Sequence, residues 1–382
     1  MKFSGIAILW LVAVMMAACG GGRTTVPADV AADSVVYRPD YATGFIIKGM
    51  PGRQSTVIES MAPWQGADSV TTRLLVLRGG EEVPGGFDGQ VLRGPARRIV
   101  AMSSTHTAML DNIGEVDRIT GVSGLRFIAN KHLQERRPAD IGFDGNFDYE
   151  LLLSLRPDLV LVYGVNGPAV IEERLRALGI PFMYVGDYLE QSPLGKAEWQ
   201  VALGETVDCR ERARARLDST ARRYNDLKER VAGAGAEHPQ VMLNAPYQDA
   251  WFMPPVQSYM VRLIDDAGGC YVLPSNDTRR SVAVAREEAL RLSWTADVWL
   301  NAGDYPDLKQ LCRALPQWRD VPPVRNGRVY TNGRRSTAGG GNDFYESGVV
   351  HPDSVLLDLV NILHPALLPD SLRTMTYYRR LD

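Results

Sequence analysis

The sequence predicts an α/β fold of two similar lobes, joined by a single long α-helix and preceded by an N-terminal β-hairpin extension. Three observations carry this. An uninterrupted amphipathic stretch runs over residues 205–231, short apolar strands alternate with helices on both sides of it, and one motif recurs in the two flanking halves. The stretch 205–231 contains no Gly or Pro, and its apolar residues Val207, Ala213, Leu217, Ala221, Tyr224, Leu227 and Val231 share one helical face. Its other faces are crowded with Arg, Asp, Glu and Lys, so it reads as one surface strut about 40 Å long.

The chain has 382 residues, 45% apolar and 23% charged, which is ordinary globular composition and enough length for two domains. A net charge of -3 and a pI near 6.0 leave no broad basic surface for a nucleic-acid backbone, so nucleic acid is not an expected partner. At the N-terminus Lys2 precedes an apolar run over 6–16, followed by Ala17, Ala18 and Cys19. This resembles a bacterial lipoprotein signal peptide (1–18) whose Cys19 becomes the lipidated first residue, with Met16 where Leu is usual. The alternative, a plain signal peptide or short anchor, suits the run less well, because it is short for a membrane span. Gly20, Gly21 and Gly22 open a polar stretch over 19–34 that reads as a flexible tether. The expected location is the periplasm, on a lipid anchor of unspecified leaflet. Cys209, Cys270 and Cys312 remain, and the sequence does not choose a disulfide among them.

From 35 to 96 the pattern is strand-like: runs at 45–47, 56–59 and 72–77 are separated by Pro-Gly, Gln-Gly and Gly-Gly turns, and are expected to cover a sheet edge. The first lobe is expected over 97–204. Residues 99–102 read as a buried strand, the Ser103-Ser104-Thr105 cluster as a helix N-cap, and 107–113 as the helix it starts. Strand at 119–122, helix at 149–155, strand at 159–163, helix at 168–178 and strand at 182–185 follow. That alternation implies a parallel, helix-covered sheet, whose ligands sit beyond the carboxyl ends of the strands.

The second lobe, expected over 232–382, restarts the order. It reads as strand 241–243, helices 259–267 and 286–292, strand 298–301, helix 308–315, strand 328–330 and a final helix 351–363. Arg156-Pro157-Asp158 with the apolar run to Gly164 aligns with Thr295-Ala296-Asp297 and the run to Gly303, and each follows a helix that begins with an acid, Glu150 or Glu287. Together with a helix between the copies, this supports duplication of one lobe.

At these residues the chain resembles the periplasmic substrate-binding proteins of ABC importers for iron complexes and cobalamin, the class with two Rossmann-like lobes joined by one long helix. The likeness runs from about residue 97 to the C-terminus and rests on Asn146 through Glu150 followed by Arg156-Pro157-Asp158. The tail Gly340-Gly341-Asn342-Asp343-Phe344-Tyr345-Glu346-Ser347-Gly348 with His351-Pro352-Asp353, the Pro193-Leu194-Gly195 opening and the Tyr377-Tyr378 pair resemble a subgroup common in Bacteroidetes. The resemblance implies a non-enzymatic binding protein without a cofactor of its own, expected as a monomer. Its ligand would be a ferric siderophore, haem or cobalamin, and its partner a membrane permease with its ATPase. It also implies that an exposed acid on each lobe, Glu150 and Glu287, docks onto permease arginines. The neighbour Glu288 competes for the second role, spacing to Asp297 favours Glu287, and an acid that only stabilises its own helix start is the plainer reading of either.

The ligand is expected between the lobes, where strand-end loops converge. Candidate contacts are His106, Tyr163, Asn166 and Tyr188 in the first lobe, then Tyr247, Trp251, Phe252, Asn301, Asn332, Arg334 and Arg335 in the second. Flat aromatics suit a macrocycle and Arg suits carboxylates or an anionic chelate, while core packing is the plainer role for any single aromatic. His106 offers an axial ligand for haem iron, or else a capping or solvent-facing imidazole. The run Gly339-Gly340-Gly341 lacks the Gly-Lys-Ser/Thr ending of a phosphate loop and reads as a loop touching the cleft. No G-x-S-x-G or H-E-x-x-H occurs, and the five scattered histidines do not favour a carrier of naked zinc or manganese. A ligand sensor or scaffold using the same cleft without transport is the alternative function, and an extracytoplasmic hydrolase using His106 with Asp144 or Asp148 is a remote third.

Overall fold

A computed structural model describes residues 34–247, 250–273 and 281–382, so the signal segment, Cys19 and nearly all of the tether lie outside the described residues. The extension is larger than one hairpin. Strands β1 (Ser34–Tyr37), β2 (Phe45–Gly49), β3 (Thr56–Met61) and β4 (Thr71–Leu77) form an antiparallel meander, and β5 (Gln90–Arg93) adds in parallel to β4. Its apolar face, with Phe45, Ile47, Ile58, Leu74 and Val76, shares a core with the first lobe. Ser60 Oγ donates to the Tyr184 carbonyl at 2.8 Å, on the edge strand of that lobe's sheet.

The first lobe alternates as the apolar runs require. It runs β6 (Ile99–Ala101), α1 (Ser104–Asn112), β7 (Ile119–Val122), α2 (Lys131–Arg136), β8 (Ala139–Asp140), the small ladder of β9 (Gly142–Phe143) with β10 (Asn146–Phe147), α3 (Tyr149–Ser154), β11 (Leu159–Val162), α4 (Glu172–Ala177) and β12 (Phe182–Tyr184). The five parallel strands lie in the order β12-β11-β6-β7-β8, and β6, β11 and β12 are buried throughout, as strands covered on both faces must be. Helix α4 starts later than the expected residue 168, because 169–172 form a turn in which the Ala169 amide donates to the Tyr184 hydroxyl at 2.8 Å.

The long helix differs from expectation at its start. Helix α5 (Pro193–Thr206) ends before it, and α6 (Arg210–Gly233) is a separate helix, so the stretch 205–231 is not continuous. Asp208 takes a left-handed φ of 62°, and the amides of Val207 and Cys209 both turn back to the Gly204 carbonyl. A Cβ on Gly204 would stand 2.8 Å from that of Ala213, so glycine permits the close crossing of the two helices. Glu205, expected on a surface strut, is buried between Arg78 at 2.7 Å and Arg210 at 3.0 Å. Helix α6 has 24 residues and spans about 36 Å. Ala213 and Leu217 pack into the first-lobe core, while Ala221, Tyr224, Leu227 and Val231 pack into the second.

The second lobe runs β13 (Gln240–Leu243), β14 (Ala250–Met253), α7 (Tyr259–Asp266), β15 (Cys270–Tyr271), β16 (Val282–Ala285), α8 (Arg286–Ser293), β17 (Val298–Leu300), α9 (Leu308–Ala314), α10 (Pro322–Arg325), β18 (Tyr330–Thr331), α11 (Ser347–Val350), α12 (Pro352–Leu363) and β19 (Arg379–Arg380). Its parallel sheet has the order β15-β13-β17, continued by a parallel bridge from Trp299 to Val329. This is the first-lobe order β7-β6-β11-β12 again. The repeated aspartates do the same work in each copy: Asp158 accepts the Arg97 and Arg98 amides at 2.8 and 2.9 Å, and Asp297 accepts the Gln240 amide at 2.8 Å. Each clamps the start of one central strand to its neighbour.

The chain also crosses between lobes a second time. Phe344 belongs to the second-lobe core, whereas Val349 and Val350 of α11 belong to the first, and α12 then returns to pack on the second half of α6. The junction is therefore not held by α6 alone.

Extension and lobe are tied by two carboxylates. Glu198, buried in α5, accepts the Tyr37 hydroxyl at 2.6 Å and the amides of Asp40, Tyr41 and Ala42 at 2.9, 2.7 and 2.7 Å. Glu190 accepts the amides of Thr43 and Gly44 and the Trp199 indole. Removing the first acceptor strands three amides, each costing about 1–3 kcal/mol when unpaired and buried. Glu198→Ala is therefore expected to lower the urea midpoint by an amount equivalent to about 3 kcal/mol or more, with Glu198→Gln, which keeps one acceptor oxygen, in between.

Candidate functional site

Loops that follow the carboxyl ends of strands in the two lobes meet at the junction, where Gly339 and Gly341 lie against Arg126 and Phe127, and such strand ends are where ligands of parallel sheets sit. On the first-lobe wall the loops after β11 and β12 meet. Tyr188 donates its hydroxyl to the Val165 carbonyl at 3.2 Å, beside the exposed Asn166, and half-buried Tyr163 completes this corner. Burial raises the phenols of Tyr163 and Tyr188, the latter to about 12, so both stay neutral donors.

His106 is a correction. It lies beneath this wall, fully buried in α1, with its ring 6.4 Å from that of Tyr163 in an edge-on arrangement. Neither imidazole nitrogen has a hydrogen-bond partner in good geometry, and burial pushes the ring down to about 3, so it is neutral and meets neither solvent nor the cleft. The N-cap role belongs to Ser103.

Trp251 is the second correction. It is fully buried between Trp299 and Trp318, each 5.4 Å away between ring centres, and its indole donates to the Leu243 carbonyl at 2.8 Å. Strand β14 alternates, so the next residue, Phe252, points outward at 44% exposure, and Tyr247 at the foot of the same hairpin is 65% exposed. These two rings are the exposed aromatics of this hairpin.

The polar contacts at the lobe junction come largely from residues that the sequence did not single out. Lys196 of α5, buried, donates to the Asp187 carbonyl at 3.0 Å, stands 3.7 Å from its carboxylate, and lies 4.8 Å above the ring of Tyr259 in the second lobe. Thr105 donates to the Asp187 carboxylate at 3.2 Å. Burial raises the Asp187 carboxyl, partly offset by Lys196, and lowers the Lys196 ammonium. Tyr259, Tyr345 and Tyr378 cluster here, all three phenols raised by burial, with Tyr345 adding to the rise at Tyr259 and Tyr378, and Tyr378 donates to Asn301 at 2.9 Å. Tyr345 is 49% exposed, with the side chain of buried Asn332 beside its hydroxyl. The position of Tyr259, one residue after the capping Ser258, was the signal available for it.

The two arginines differ from the expectation of an anion clamp. Arg335 pairs with Asp343 at 2.9 Å and lies 5.8 Å from the Tyr377 ring, so its charge is already committed, while Arg334 remains exposed with its amide on the Tyr377 carbonyl. The glycine run packs against the other lobe, where any Cβ on Gly339 or Gly341 would collide with the carbonyls of Arg126 and Phe127. Arg126 in turn lies 4.4 Å over the Phe127 ring, which tilts against the exposed Phe143.

Away from these contacts, Glu150 and Glu287 occupy the second position of α3 and of α8, both exposed and without an ion-pair or hydrogen-bond partner among the described residues. Glu288 is paired with Arg291 at 2.6 Å. Of the neighbours Glu287 and Glu288, it is thus Glu287 that matches Glu150 in having no partner among the described residues.

Known proteins share this architecture. A periplasmic heme-binding protein from Pseudomonas aeruginosa superposes with a TM-score of 0.59 at 16% identity, over 75% of this chain and 98% of that one. The periplasmic vitamin B12-binding protein BtuF of Vibrio cholerae gives 0.54 at 15% identity, over 72% and 99%. In sequence, an uncharacterized lipoprotein of Methanocaldococcus jannaschii is 25% identical over 298 residues, 73% of this chain and 68% of the relative. The family model for periplasmic binding proteins matches residues 99–335, which span both sheets and the helix between them, and the chain belongs to that family.

Proposed function

We propose that this protein captures a metal chelate, a ferric siderophore, haem or cobalamin, between its lobes and hands it to an ABC permease docked at Glu150 and Glu287. The observation that carries the reading is the equivalence of those acids: same position on corresponding helices, same exposure, and no partner for either among the described residues. A lone carboxylate at a helix start is stabilised by the helix dipole and available for a charge-assisted bond to an arginine. Two of them on duplicated lobes offer a symmetric grip. The ligand class is supported by the exposed aromatics Tyr247 and Phe252, the neutral phenols at the lobe junction, and the heme and vitamin B12 named for the structural neighbours. Among the described residues no helix is long and apolar enough to cross a membrane, and attachment by a lipid on Cys19, as a monomer outside the cytoplasm, is part of the proposal, supported by the lipoprotein relatives.

Binding is tested with the chain from residue 20 onward, titrated separately with hemin, ferrichrome and cyanocobalamin and followed by absorbance. One of the three is expected to bind, and Tyr247→Ala with Phe252→Ala to weaken it about tenfold, since each ring contributes stacking area. Absence of binding to all three would overturn the ligand class.

Docking is tested by Glu150→Arg and Glu287→Arg in cells that take up the identified ligand. Uptake should be lost with ligand affinity unchanged, while Glu288→Arg, at a residue already paired with Arg291, should be far milder. A fall in affinity instead would move both acids into the site or the fold.

A further inference from the structure

Trp199, Trp251, Trp299 and Trp318 are fully buried, and each gives its indole N–H to an acceptor: the Glu190 carboxylate, the Leu243 carbonyl, the Asn244 carbonyl and the Ser293 hydroxyl. Trp294, the next residue after that serine, is 51% exposed. Among the described residues its indole has neither a hydrogen bond nor a ring contact. One exposed apolar side chain is ordinary on any surface, so the argument turns on where this one stands.

Trp294 caps α8 with φ -71° and ψ -19°, so it continues the path of that helix. It comes seven residues, two turns, after Glu287, which puts both side chains on one face about 10 Å apart along the axis. Just before α8, Ala283 and Ala285 are exposed on the outward side of β16, where a half-buried strand ordinarily places polar residues. The first lobe repeats the pairing on a smaller scale, because Leu153, 42% exposed, lies one turn after Glu150 on α3. Each acid is thus set beside exposed apolar surface, with the larger apolar share in the second lobe.

Charge decides what covers this surface. Between Glu287 and Trp294 the cation Arg291 is committed to Glu288 at 2.6 Å, so the uncommitted charge on the face is negative. An anionic lipid headgroup is repelled by it, and a second copy meeting the first about a two-fold axis brings a second Glu287 to the same contact. A protein surface bearing an arginine suits both features, since a guanidinium bonds a carboxylate through two N–H groups and stacks on an aromatic face. We propose that Trp294 is the apolar anchor of the permease contact, with Leu153 a smaller one, so that the two acids steer and orient the encounter while the second lobe supplies most of the hold. Exposed charges act chiefly on the association rate and its salt dependence, whereas a large aromatic that becomes covered acts on dissociation. The identity of the partner rests on the docking proposed above.

The test needs no ligand. Fluorescently labelled chain from residue 20 onward is titrated onto spheroplasts of the source cells stripped of this lipoprotein, and the saturable part of its retention and its rate of release are measured. Trp294→Ala should weaken retention about tenfold or more, mainly through faster release, with Trp294→Phe close to wild type and Leu153→Ser affected less. Glu150→Gln with Glu287→Gln should instead slow association and flatten its dependence on salt. Unchanged retention of Trp294→Ala would overturn the proposal. So would a Trp294-dependent dimer in sedimentation, or Trp294-dependent flotation of the chain with protein-free phosphatidylglycerol vesicles, since either gives the surface another occupant. Retention lost in the acid variants but kept in Trp294→Ala leaves docking at the acids standing and removes this anchor alone; the reverse pattern removes docking at the acids and keeps the anchor.

Discussion

Backbone amides that leave water need acceptors, and the irregular segments of this molecule find theirs in carboxylates distant in sequence. Strands satisfy one another within a sheet; the loops and the tail cannot. Glu198 and Glu190 take the amides of residues 40–44, Asp140 takes those of Gly124 and Leu125, and Asp358 takes those of Thr376, Tyr377 and Tyr378. A buried amide left unpaired costs about 1–3 kcal/mol, so each acid decides where a whole segment lies rather than adding a local contact. Asp158 and Asp297 apply the same device at the strand starts of the two lobes, which is why duplication is still visible where the surrounding residues have diverged.

The relation between the lobes follows from where the helices are anchored. Helix α6 spends its first half in one core and its second half in the other, so rotating the lobes would require bending a hydrogen-bonded rod or unpacking one of its faces. The break at 207–209 does not act as a free hinge, because Gly204 and Ala213 hold α5 against α6 on either side of it. The segment from Phe344 to Val350 adds a second crossing, fixed at Glu346. Two independent links, the rod of α6 and this second crossing, favour small lobe movements over wide closure.

The strands and most helices were legible because short, wholly apolar runs bounded by turn residues have few other ways to fold. Helix α5 was not, and the reason is physical. Every residue of it is buried, so no polar face betrays its period, and the buried Lys196, Glu198, Gln200 and Glu205 disguise it as surface. Its end was equally hidden, since Asp208 adopts a left-handed turn without a glycine to announce it. In the cleft, composition pointed to aromatics at strand ends but could not say which face they took. Trp251 and Phe252 differ by one step in a period-two strand, and only the position of the second-lobe core separates the packed indole from the exposed ring. Arg335 likewise reads as a free cation until Asp343, eight positions on, is seen beside it.

These constraints converge on the two acids that the proposed docking uses. Each sits at the start of a helix whose following strand is clamped by its aspartate, so neither can shift within its own lobe without disturbing a central strand. The distance between them is therefore set by how the lobes meet, and the lobes meet through α6 and the Glu346 junction, one residue beyond the cleft tyrosine Tyr345. If a ligand bound between the lobes shifts either link, the shift becomes a change in the spacing of the two carboxylates. A partner that grips both with fixed arginines would sense that spacing steeply, because charge-assisted bonds lose strength over fractions of an ångström. On this reading, small lobe movements are sufficient for signalling because the receiver measures a separation, not an opening.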